Sequence, residues 1–397
     1  MYYCDIDSER NICYLFSMES LEKPLEAKTY YPRIDLYRFV FTVFVVILHF
    51  ECFYPTKPKD NIFALYRSVD FFFLLSGFLL FKSLKNQKYR NALDFTLSKA
   101  KKLMPVNLVV ITAACICTSF PKVFAVKSLL GSCKALFVNL VCSIPNIFFV
   151  QLFIPVVEKI IPSRYEAFPM WYISAMIVSC FIWFWILSAL RNKNGNDSKY
   201  YSWGLVGAVL VYSSVFNLYG KTDVGFDEIV PIFNLPAGFF RGFADIGFGI
   251  FLANYEFKIE NLKLKYFLKF FFPLLLFVSI FYAKYSVFDY IYIFFCAVTL
   301  VFEFSLQKTP KFEKFYSFIG KISLYIYFTH AFVIFYEYTP LVQKIPELND
   351  YLYLNIFVRI LLVAATSFAA YWLSKPIKTA LDKLYSVIKY KYEECQN

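Results

Sequence analysis

Ten apolar runs, separated by short polar and mostly basic connections, order the chain. They begin near Leu36, Val69, Leu103, Met170, Trp203, Leu235, Tyr266, Val287, Ile322 and Leu352. Each approaches the roughly 20 residues a helix needs to cross hydrocarbon, where every backbone N–H and C=O must be bonded within the segment. The pattern predicts an all-α fold, a polytopic transmembrane bundle of about ten spanning helices. It divides the chain into an N-terminal segment (1–32), a membrane domain (33–376) and a C-terminal tail (377–397). The stretch from Ala135 to Val157 is long enough for an eleventh crossing. Its Pro145 and Pro155, and the charges that follow, instead predict a re-entrant or interfacial pair of segments.

Polar residues inside the runs are few, and the first run holds two of them. Arg38 and His49 have ten residues between them in a stretch otherwise made largely of Phe, Val, Ile and Leu. Eleven steps bring the helix to within about 20° of three whole turns, so the two side chains share a face about 16 Å apart. An ionisable side chain at that depth costs about 2.5–3.5 kcal/mol, so it faces a bundle interior and marks a functional path. The second histidine, His330, lies inside KISLYIYFTHAFVIF, about 12 Å from the inner end of its run by helix rise. For it, a catalytic role stands beside an interhelical hydrogen bond.

Composition narrows the class further. Hydrophobic residues make up 59% of the chain and charged residues 18%, with mean hydropathy +0.52, which excludes an ordinary soluble domain. The 50 Phe and 32 Tyr fill helix contacts and interfacial belts. A net charge of +12 would suit nucleic acid, but the cations are spread over short loops rather than gathered in one patch, and nucleic acid is set aside as a partner. The lipid bilayer is the partner that fits. With ten crossings, the segments on one side carry 27 Lys and Arg and those on the other 11. That excess predicts a multi-pass protein of the cytoplasmic (inner or plasma) membrane with both termini in the cytoplasm. The ten cysteines form no CxxC pair and read as small core residues, with no metal site implied.

Three further stretches carry candidate chemistry. VDFFFLLSGFLL opens the second helix and places Asp70 at its outer end, with Ser76, Gly77 and Phe78 deeper. Asp70 beside His49 would orient the imidazole and stabilise its protonated form, and the alternative is a helix N-cap with a small-residue packing spot. The inner loop from Lys82 to Lys102 holds seven cations, and Lys99 and Lys102 stand at i, i+3 before LMP, where phosphates would bind. The alternatives there are topology and anionic lipid. Arg241 and Asp245, at i, i+4 in RGFADIGFGI, read as a structural bridge. Arg359 needs a partner or a water-filled cavity, and Trp171 and Tyr172 sit where amphipathic rings anchor at a membrane edge and are also candidates for packing near the site, with Ser76, Gly77, Phe78 and His330.

Arg38 with His49, then DFFFLLSGF, the basic pair before LMP, PMWYISAMI, RGFADIGFGIFLA and SLYIYFTHAFV follow one another as in the membrane acyltransferase 3 family. The resemblance runs from about Arg33 to Pro376. It implies an integral membrane O-acyltransferase that moves an acyl group, often acetyl from acetyl-CoA, to a hydroxyl of a surface carbohydrate or a lipid-linked sugar. It also implies that His49 is the essential histidine, Arg38 its paired cation, Ser76-Gly77-Phe78 the SGF element, and Lys99 and Lys102 the donor-side cations. Two departures are Lys in place of the family's Arg at 99 and 102, which lacks the bidentate fork, and Ser374 before Lys375-Pro376. Chemistry agrees with the implied role: a sugar hydroxyl needs a base that takes its proton as it attacks a thioester, and His49 is the best placed. A proton-coupled transporter would also use buried Arg, Asp and His, but the sequence has no inverted repeat. A non-catalytic scaffold would leave His49 dispensable.

Overall fold

A computed structural model describes residues 31–52, 63–119, 129–153, 170–194, 201–225, 227–254, 261–281, 288–305 and 312–394. The N-terminal thirty residues, most of the Tyr54 to Arg67 loop and Pro155 lie outside them. Ten helices match the ten apolar runs: α1 (Pro32–Cys52), α2 (Ser68–Lys85), α3 (Ala92–Ser119), α6 (Trp171–Asn194), α7 (Trp203–Tyr219), α8 (Ala237–Ala253), α9 (Leu262–Phe281), α10 (Phe288–Ser305), α11 (Glu313–Phe332) and α13 (Leu352–Glu394). Between α3 and α6 lie α4 (Leu129–Cys142) and α5 (Ile144–Ile147), and α12 (Thr339–Lys344) follows α11. The strands among the described residues are β1 (Ile229–Val230) and β2 (Leu235–Pro236), an antiparallel pair. The fold is an all-α polytopic bundle, and among the described residues six helical stretches, one of them running from α11 through the turn into α12, are long and apolar enough to cross a membrane.

Contacts between helices give the direction of each. His49 meets His330 and Asp35 meets Gly320, so α1 and α11 run parallel. Asp70 meets Arg241 and Gly77 meets Gly249, so α2 and α8 are parallel. Tyr338 bonds Asn355 and Ser374 bonds Tyr325, so the α11 segment and α13 are antiparallel. These directions are those of ten helices alternating between two faces, called here proximal (where α1 begins) and distal.

The α4–α5 stretch does not cross. Asn139 donates to Ser119 at 2.7 Å at the distal end of α3, and Asn107 donates to the Asn146 carbonyl at 3.0 Å. Those α3 partners are about 18 Å apart along the helix. After a left-handed turn at Phe149 (φ 58°), Phe153 packs on Phe239 near the distal start of α8. The segment enters and leaves at the distal face, the re-entrant path expected from its prolines.

The centre of the bundle is α8, which packs against α2, α6 and α7. A Cβ at Gly77 would fall 3.0 Å from the Gly249 Cα, so the two glycines let α2 and α8 touch backbone to backbone. This explains the glycine of the SGF element as a packing requirement. Around this core, α9 and α13 expose Phe267, Phe270, Leu361 and Phe368, an apolar surface fit for lipid.

α11 does not end at Phe332. Residues Val333–Tyr338 widen into a π-turn before α12. Pro340 lacks an N–H and its ring crowds the carbonyl four residues back, which favours the wider turn. Thr339 Oγ1 satisfies the Ile334 carbonyl at 2.6 Å. At the chain's other end, α13 continues through Pro376 to Glu394, so the tail from 377 extends the last helix, and Lys101 pairs with Asp382 on it at 2.9 Å.

Candidate active site

Five helices, α1, α2, α3, α6 and α11, enclose a cavity of about 350 Å³. Its proximal part carries Arg38, Lys99 and Lys102, and its walls are mostly apolar, with Thr42, Ser76, Tyr172, Ser323 and Tyr327 as hydroxyls. Predicted residues from four separate helices therefore converge: Arg38 on α1, Ser76 on α2, Lys99 and Lys102 on α3, and Tyr172 on α6. Arg38 is held by Asp35 at 3.1 Å one turn earlier, and Thr42 follows one turn on, so one stripe of α1 faces the cavity. Lys99 and Lys102 share a stripe of α3, as their spacing predicted. The N-terminus of α3 lies elsewhere: the helix starts at Ala92, capped by Asn91 Oδ1 accepting from the Asp94 N–H at 2.8 Å. The exposed N–H groups are thus two turns from Lys99, and the lysines attract anions by their own charge.

Ser76 lines the cavity and donates back to the Phe72 carbonyl at 2.8 Å, a bond that leaves its lone pairs available. Phe78 is buried against Phe304. Trp171 and Tyr172 are not anchors at a lipid edge. Trp171 fills the space over Gly238, and Tyr172 is buried, faces the cavity and packs on Phe73 at 4.6 Å. The start of α6 is drawn inside because Gly238 leaves room for the indole.

The cavity ends distally at Tyr172 and Tyr327, whose rings lie 5.9 Å apart. Directly beyond Tyr327 is His330, at 5.6 Å between ring centroids, and beyond that His49, 5.0 Å from His330. The sequence placed His330 nearer the proximal end, but α11 begins nine residues before Ile322, so His330 is about 25 Å from its start. Each imidazole is tethered to its own helix through Nδ1, His49 to the Val45 carbonyl at 2.8 Å and His330 to the Tyr327 carbonyl at 2.6 Å. A carbonyl only accepts, so Nδ1 carries the hydrogen in both rings and Nε2 is the basic nitrogen.

Asp70 is not the partner of His49. Its carboxylate receives Arg241 Nε at 2.6 Å, and Arg241 Nη1 also holds Asp223 at 2.6 Å, with its other nitrogen on the Tyr66 carbonyl. Arg241 and Asp70 are both about 3% exposed. The expected Arg241–Asp245 bridge is replaced by this cross-helix pair, and Asp245 accepts from the Tyr212 hydroxyl. Residues at i, i+4 can reach each other, but α2 and α8 lie so close that Arg241 gains a carboxylate from across the interface. Of the two alternatives open to Arg359, it has a partner: it donates to the Tyr338 hydroxyl at 2.9 Å and lies over the Phe50 and Tyr338 rings.

Sequence reasoning missed Tyr327, Thr42 and Asp223. The first two had a signal in the helical repeat, since Tyr327 precedes His330 by three and Thr42 follows Arg38 by four. Asp223 had none, because it sits in a loop and reaches Arg241 only through the fold.

The sequence pattern of the acyltransferase 3 family, described as an acyltransferase domain, matches residues 31–375. The chain belongs to the acyltransferase 3 family. It is an integral membrane acyltransferase, and the match takes in every helix that builds the cavity and the histidine pair. No curated protein and no solved structure matches it. Within this acyltransferase, the cations, the cavity and the two imidazoles form a continuous series from one face towards the other.

Proposed function

We propose that this acyltransferase takes an acyl group, most simply acetyl, from acyl-CoA and transfers it to a hydroxyl of a surface carbohydrate or lipid-linked sugar. The observation that carries the reading is the alignment of Arg38, Lys99 and Lys102 at the proximal part of a cavity whose distal wall, Tyr327, touches His330. Coenzyme A has a phosphate-rich end and a long neutral arm ending in the thioester, so its two ends call for cations at a mouth and an uncharged channel. The cations hold the phosphates, the apolar walls accept the arm, and the acyl carbon passes the Tyr172–Tyr327 pair to meet the hydroxyl. His49 takes the hydroxyl proton at Nε2 as the oxygen attacks, and Val45 keeps the ring in the tautomer that can do so. Asp70 serves the bundle, not the proton.

The donor end tests this reading. Lys99→Ala with Lys102→Ala is expected to raise the KM for acetyl-CoA roughly tenfold, about 1.4 kcal/mol of binding, with kcat at saturating donor little changed. Rising salt should weaken donor binding in the parent protein. The assay is release of free thiol from acetyl-CoA by protein in nanodiscs. An unchanged KM would return the lysines to topology and lipid contact.

Donor supply also requires the proximal face to be cytoplasmic, in the inner or plasma membrane. The 27 to 11 cation split supports that orientation. A single cysteine placed at Lys88 should escape an impermeant maleimide in intact cells and react once the membrane is opened. Labelling in intact cells would reverse the orientation and bring the donor from the other side.

A further inference from the structure

We infer that His330 is a second catalytic residue of the transfer, taking the proton from His49 and passing it to the departing thiolate. The inference rests on the reading that acyl-CoA is the donor and His49 the base. The His330 ring is fully buried, and its Nε2 has no hydrogen-bond partner, whereas its Nδ1 is satisfied. An orphaned buried nitrogen costs about 1–3 kcal/mol, and a purely structural histidine would have its second nitrogen bonded. This ring is packed between Tyr327, the cavity wall, and His49.

Position and chemistry fit a relay. His330 stands one turn beyond Tyr327 on α11 and is the imidazole adjoining the donor cavity, while His49 lies farther from it. In serine hydrolases an imidazolium is steadied by a carboxylate. Here the carboxylate expected for that place, Asp70, is committed to Arg241. A neutral imidazole fills the vacancy without adding a charge to the membrane interior. As the acceptor oxygen bonds to the thioester carbonyl carbon, its proton goes to His49 Nε2. The C–S bond breaks with its electron pair on sulfur. The proton moves from His49 Nε2 to His330 Nε2 and then to the sulfur, giving the ester and free CoA thiol. Both rings return to their Nδ1–H form.

His330→Asn and His330→Gln test this in nanodiscs with acetyl-CoA as donor and glycerol in molar excess as acceptor, read by thiol release. Asn retains a donor towards the Tyr327 carbonyl but has no basic nitrogen, so a structural role would survive it. The relay predicts a kcat loss of about two to four orders of magnitude in both variants, with acetyl-CoA binding and thermal unfolding near those of the parent. It also predicts a curved dependence of kcat on deuterium fraction in the parent, from two protons in flight, and a linear one in the residual activity of the variants. Turnover within threefold of the parent in either folded variant, or a linear dependence in the parent, would overturn it. His49→Ala run alongside separates the two failures. If His49→Ala is inactive and His330→Asn is not, only the relay falls. If His49→Ala turns over normally, the underlying reading falls with it.

Discussion

His49→Ala is expected to reduce kcat for acyl transfer by about two to four orders of magnitude, the contribution of a well-placed general base. The KM for acetyl-CoA should change little, because the cations proposed to hold the donor are on other turns of α1 and on α3. The substitution removes a half-buried ring whose Nδ1 bonds the Val45 carbonyl of its own helix. Expression and elution on size exclusion should therefore resemble the parent. A protein that keeps its fold and loses its rate identifies His49 as chemistry, and parent-like thiol release would remove it from the mechanism.

The second large effect concerns stability. Arg241→Ala should destabilise the bundle by about 3–5 kcal/mol, the usual result of breaking a buried ion pair from one side. Asp70 would be left enclosed without its cation, and Asp223 would lose its own bond to the same guanidinium. Burial already pushes the Asp223 carboxyl above its ordinary range, with Arg241 pulling it down. The measurement is thermal unfolding in detergent. Restoring apolar balance with Arg241→Met plus Asp70→Leu should recover part of the loss, as a double-mutant cycle would register. Asp70→Asn, which keeps an acceptor oxygen for Arg241, should lower stability and leave kcat close to normal. A kcat loss comparable to that of His49→Ala, in a stable Asp70→Asn protein, would put Asp70 back beside the imidazole.

Much of this architecture was legible in the sequence because a bilayer permits few solutions. Hydrocarbon forces helices, so the ten apolar runs located ten helices, and the prolines of the 135–157 stretch marked the one that turns back. Spacing on a single helix was equally informative: Arg38, Lys99 and Lys102 face one cavity because the helical repeat put each on the required stripe. Relations between helices were not legible. Arg241 sits four residues from Asp245, and nothing in that spacing tells that glycines will bring α2 near enough for Asp70 to take its place. The same holds for Trp171 and Tyr172, whose amphipathic rings suit a membrane edge until Gly238 and Tyr327 provide a pocket. The two histidines are 281 positions apart, and only the parallel packing of α1 and α11 brings their rings to 5.0 Å.

The central claim is that one path runs from the basic mouth through the cavity to the histidine pair. A cryo-electron microscopy map of the protein in nanodiscs with bound CoA tests it most directly. The account predicts phosphate density at Lys99, Lys102 and Arg38, and the pantetheine arm inside the cavity with its sulfur pointing at Tyr327 and the imidazoles beyond. CoA bound at the distal face, or on the bundle surface with the cavity unfilled, would contradict it.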